Sequence, residues 1–178
     1  MGKPDGVRLL DVSADGFWSS FFAIVVALPA LSVTWVALAN SLGDEVFASR
    51  FAFFVRLALI DLVTWIAPLL LLGAAAGAVG IGRRYVAYVV ATNWGSVILV
   101  WIMLPPALVE LVWPSGGEVL STVALLLFLV TMVLSWRLTN AVLDMGAAVA
   151  SAVFAGMFVL SLGVLLSLQA LLGITPSA

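Results

Sequence analysis

The stretch RFAFFVRLALIDLVTWIAPLLLLGAAAGAVGIG, from Arg50 to Gly82, decides the fold class. It is apolar over most of its length, yet it carries Arg56 and Asp61 well inside the run. About 20 apolar residues suffice to cross a bilayer as a helix. A charge held in hydrocarbon costs from about 2.5 to more than 10 kcal/mol unless it snorkels or finds a partner. The stretch therefore predicts a transmembrane helix, and its two charges are the first candidates for function.

The rest of the chain repeats the apolar part of that pattern. Of 178 residues, 65% are hydrophobic and 9% charged, against about 45–50% and about 25% in soluble domains. The expected fold is an all-α polytopic membrane bundle with five transmembrane helices, at about 17–40, 51–73, 85–104, 119–136 and 146–172. Residues 1–16 read as a cytoplasmic or interfacial lead-in, and 173–178 as a tail. The lead-in, with Asp5, Asp11 and Asp15 ahead of the apolar run, fits a signal peptide badly. Pro68 and a glycine-rich tail predict an end to the second span near Gly73 to Gly77, and Pro105-Pro106 predict an end to the third. Residues 107–118 then read as an interfacial turn. Basic residues cluster as Lys3, Arg8, Arg83, Arg84 and Arg137 on one side, leaving Arg50 on the other, which orients the chain N-in and C-out.

Absences narrow the chemistry. With no cysteine and no histidine, thiolate chemistry, disulfides, bis-His haem and a Ser-His pair cannot be built from this chain. No phosphate-cradling motif and no acidic metal cluster is visible, and an aspartyl protease needs two facing aspartates where only Asp61 is deep. The chain is expected not to be an enzyme and to hold no cofactor or metal of its own. A net charge of -2 without a basic run argues against nucleic acid as a partner.

Asp61 lies about ten residues, or roughly 15 Å, into its span. Arg56 is five positions earlier, about 140° around an ideal helix, so the two pair poorly within the helix. Asp61 thus needs a partner from another helix, or a proton. Asn93 is the first candidate, completing a polar cluster of Arg56, Asp61 and Asn93, with Thr34, Thr92 and Thr131 as other possible partners. The plainer reading is a clasp that fixes helix register; the sharper one is a proton or cation site. Arg83, Arg84, Arg137 and Asp144 read as a cytoplasmic charge cluster that sets topology, or as a docking point for a partner.

Three stretches, DVSADGFWSSF (Asp11 to Phe21), YVVATNWGSVI (Tyr88 to Ile98) and SWRLTNAVLD (Ser135 to Asp144), resemble a group of small bacterial inner-membrane proteins distantly related to the Yip (Ypt-interacting protein) five-span fold. The resemblance implies that fold, a multi-pass location in the bacterial inner (cytoplasmic) membrane, and a role in membrane organisation; it supplies no catalytic residues. From the residues, the expected function is a non-catalytic accessory or scaffold protein binding lipids and other membrane proteins, or further copies of itself, through its helix faces. The alternative is a small oligomeric transporter or channel using Asp61.

Overall fold

The structure is a computed structural model and describes residues 4–41, 50–113 and 117–174. After a short 3-10 turn over Pro4–Leu9, the helices are α1 (Ala14–Ser20), α2 (Ala23–Ser41), α3 (Arg50–Val79), α4 (Tyr85–Val112), α5 (Gly117–Leu143) and α6 (Ala147–Leu171). No strand occurs among the described residues. With α1 and α2 together making the first, five helical segments are long and apolar enough to cross a membrane. Helices are the expected solution, since a chain without water around it must satisfy its backbone polar groups internally.

The ends of the helices differ from the sequence expectation in four places. The first segment is broken at Phe21 and Phe22, next to Ser19 and Ser20, whose hydroxyls donate to the Gly16 and Phe17 carbonyls. In α3 the glycine-rich tail stays helical to Val79. It stops at Gly80, whose φ of +80 takes the left-handed conformation, while Gly80 N donates to Gly77 O and Ile81 N to Ala76 O. These two bonds, with Ile81 fully buried near Ala76, form a Schellman end.

The third correction concerns Pro105 and Pro106, which lie inside α4 rather than at its end. They cannot donate to the Trp101 and Ile102 carbonyls, but their fixed φ is helical, and burial of Pro106 and Ala107 holds the line of the helix. Residues 107–112 are therefore helical instead of forming a turn. Likewise α5 runs on to Leu143, which makes Arg137 and Asn140 helical. The expected polar connection 41–50 lies almost wholly outside the described residues.

Packing arranges the helices as a ring in the order α2, α4, α5, α6, α3, with a lighter contact between α3 and α2 closing it. Two apolar layers hold the ring at opposite ends. One, near the α3–α4 turn, contains Leu72, Ala76, Ile81, Val89 and Leu143, with Val7, Leu10, Phe17 and Phe21 of the N-terminal segment packed on it. The other joins Ala39, Phe53, Leu57 and Ile60 to Ile174. Outward faces carry exposed large side chains such as Leu70, Ile98, Val133 and Val159, which suit lipid contact.

Candidate functional site

Between these layers lies a half-open cavity of about 370 Å³ lined by all five membrane-crossing segments. Its wall on α3 runs from Asp61 to Leu69 and on α4 from Tyr88 to Val100. The two helices run antiparallel through the short turn at 80–84, so Asp61 and Val100 lie at one end and Leu69 and Tyr88 at the other. Twelve residues along α4 correspond to roughly 18 Å. Most of the wall is apolar or aromatic, with Trp65, Tyr88, Phe154 and Phe158 among its members. The polar groups are few: Asp61, Thr64, Thr92, Asn93, Ser96, Ser135, Thr139 and Ser161.

The expected cluster of Arg56, Asp61 and Asn93 resolves into three separate arrangements. The Asp61 carboxylate accepts from the Trp35 indole, Nε1 to Oδ2 at 2.7 Å, which ties α3 to α2. Asn93, fully buried, accepts from Trp65 Nε1 at 3.0 Å and donates to Ser20 Oγ at 2.9 Å. Ser20 in turn donates to the Phe17 carbonyl, so one chain of bonds links α3, α4 and α1. Arg56 reaches the end of α6, where its Nη1 donates to the Leu172 carbonyl at 3.1 Å. A cation at a helix C-terminus is well placed for the helix dipole and for the unpaired last carbonyls.

Asp61 and Asn93 thus share a cavity without bonding each other. The threonines weighed as partners for Asp61 do not reach it either, because each satisfies itself locally. Thr34 donates to Leu31 O, Thr92 to Tyr88 O and Thr131 to Phe128 O. Such back-bonding is the usual fate of a helical hydroxyl.

Thr64 breaks that habit. Its Oγ1 is the one buried side-chain polar atom without a hydrogen-bond partner among the described residues. Pro68, four residues on, has no N–H to offer the Thr64 carbonyl. Asp61 and Thr64 are three positions apart, on one face of α3, and both line the cavity. No basic side chain stands within ion-pair distance of Asp61 among the described residues, the recorded pair being Arg84 with Asp144.

Tyr85 fixes the neighbouring stretch of α3. Its hydroxyl donates to the Leu69 carbonyl at 2.8 Å, and it can lie this close only because Gly73 has no side chain: a Cβ there would stand 2.6 Å from the phenol oxygen. At the same end of the cavity the Tyr88 phenol lies against the Thr139 hydroxyl. Residues 11–21, 88–98 and 135–144 therefore converge, through Ser20 on Asn93 and Tyr88 on Thr139.

The charge cluster at the α3–α4 turn is open to solvent. Arg84 and Asp144 approach to 3.8 Å with side chains 48% and 80% exposed, a geometry that contributes about 0–1 kcal/mol. Asp144 holds a left-handed φ of 49 where the chain turns from α5 to α6. Arg83 and Arg137 are exposed at the same end. Among the described residues no group of three or more acidic side chains is placed to hold a metal ion. No family model, curated protein or solved structure matches this chain.

Proposed function

We propose that this chain is a small membrane carrier whose solute site is the cavity among its five helices. The observation that supports this reading is the pairing of Asp61 and Thr64 on one cavity wall: among the described residues, a carboxylate without a facing cation beside a buried hydroxyl without a partner. Each is costly to leave as it stands in a membrane. Trp35 supplies one donor to Asp61 and nothing among the described residues partners the Thr64 hydroxyl, which leaves acceptor capacity on both for a ligand.

The accessory reading rests on the apolar outer faces, and lipid covers those without further help. The cavity has no such explanation. The two apolar layers that bracket it share α3 but lie toward its opposite ends, one at the α3–α4 turn and the other where Ala39, Phe53 and Ile174 meet. A carrier needs this arrangement if one layer opens at a time. In this reading the Arg83, Arg84 and Arg137 end faces the cytoplasm, N-in and C-out.

The chain has no cysteine, so a Thr64→Cys variant gives a single thiol close in shape to the native side chain. Right-side-out and inverted vesicles treated with a small membrane-impermeant thiosulfonate test the reading. Labelling of position 64 from both sides is the expected result. Labelling from neither side, or from one side under every condition, would overturn the carrier.

A further inference from the structure

The geometry points to an organic monocation, an ammonium group on an aromatic or aliphatic body, as the solute of this cavity. The inference rests on the carrier reading and adds the chemical class. Size comes first. A volume of about 370 Å³ falls in the range of about 300–1,000 Å³ typical of small-molecule pockets and is far too large for a bare metal ion held by protein oxygens. The composition of the wall points the same way. Calcium or magnesium wants six or more converging oxygens, whereas this wall is mostly apolar and aromatic and carries a single carboxylate among the described residues.

That carboxylate sets the charge of the ligand. Asp61 has the Trp35 indole as its donor and no basic side chain in ion-pair distance among the described residues, so a ligand with one positive charge completes an ion pair that hydrocarbon makes strong. The Thr64 hydroxyl, without a hydrogen-bond partner among the described residues, adds an acceptor beside it. Along the same cavity, Trp65 and Phe158 offer ring faces and edges to the body of such a molecule. A dication or an anion finds no complement here: among the described residues no second acidic and no basic side chain lines the wall.

Benzyltrimethylammonium, phenethylamine, benzyl alcohol and phenylacetate are matched probes that differ in charge. Calorimetric titration of the full chain in nanodiscs should show saturable binding of both cations, with the alcohol and the carboxylate weaker by about tenfold or more. Asp61→Asn should reduce cation binding by about tenfold or more, and Asp61→Glu by less. Because a change at Asp61 could also unfold the bundle, a second readout uses the wild type. Benzyltrimethylammonium should protect Asp61 from modification by dicyclohexylcarbodiimide, scored by mass spectrometry, while benzyl alcohol should not.

Binding of benzyl alcohol or phenylacetate as tight as that of the cations would overturn the cation assignment and leave the cavity standing as a solute site. So would a folded Asp61→Asn protein that binds the cations unchanged, or a wild type that binds them without protecting Asp61. If none of the four probes binds, the cation assignment fails. Two-sided labelling at Thr64→Cys then decides separately whether the carrier reading fails with it.

Discussion

Trp35 Nε1 stands 2.7 Å from Asp61 Oδ2, a hydrogen bond that joins α2 to α3 and gives the membrane carboxylate its one protein donor among the described residues. Removing the donor should therefore be felt through the acid. Trp35→Phe is expected to destabilise the bundle, and the effect should shrink when Asp61 is already replaced by Leu. A double-mutant cycle on thermal unfolding in detergent should return a coupling of about 1 kcal/mol, in line with interhelical hydrogen bonds in membranes. Strict additivity would show that this bond does not hold the two helices.

Asn93 is fully buried and bonded to Trp65 on one side and Ser20 on the other. Asn93→Leu keeps the branched shape but strands the Trp65 indole N–H and removes the donor to the Ser20 oxygen. A loss of about 1–3 kcal/mol is expected, against a smaller loss for Ser20→Ala. Denaturant unfolding of the three proteins in one detergent gives the ranking. Equal stability of Asn93→Leu and the wild type would contradict it.

Gly73 and Tyr85 form a pair that only glycine permits. Gly73→Ala places a methyl 2.6 Å from the Tyr85 oxygen, so the phenol must leave the Leu69 carbonyl. The expected cost is about 1–3 kcal/mol, as for other overpacked sites. Gly73→Ala made on top of Tyr85→Ala should cost much less, because the obstruction is gone. The comparison is a thermal-shift measurement on four proteins.

The N-terminal turn predicts a pH effect. The Ser13 hydroxyl, and after it the Ser13 backbone N–H at 3.0 Å, hold the Asp11 carboxyl below its ordinary value of 3.8. A depressed folded value means that the ionised form favours the turn. Its contribution is complete above the unfolded value and fades as pH drops through the folded one. An NMR titration of the Asp11 side chain should find its midpoint below 3.8, and Ser13→Ala should move it up. A midpoint unchanged by Ser13→Ala would contradict the assignment.

The sequence made some of this legible and hid the rest for physical reasons. Five spans are plain from hydropathy, since each long apolar run has one stable form in a bilayer. Helix ends are harder. Pro105-Pro106 breaks an isolated helix, but burial of Pro106 and Ala107 carries α4 past them to Val112. Asp61 announces itself as a lone acid in an apolar run, whereas its donor does not: Trp35 fits an interfacial anchor equally well, and pairing across 26 positions depends on how α2 and α3 pack. Thr64 does not stand out by itself, because a helical threonine ordinarily bonds its own backbone. The nearby Pro68, which denies the Thr64 carbonyl its N–H, is the clue that a reader of the sequence could have used.

The most direct measurement of the central claim is counterflow of radiolabelled benzyltrimethylammonium into vesicles holding the purified protein and preloaded with unlabelled cation. The probe keeps its charge at every pH, so it does not leak through lipid as a neutral amine would. The account predicts transient accumulation of label in wild-type vesicles, and its loss when the cavity is filled by Ser161→Trp in a protein that still elutes and unfolds like the wild type. Accumulation no greater than in protein-free vesicles, or undiminished in Ser161→Trp, would contradict it.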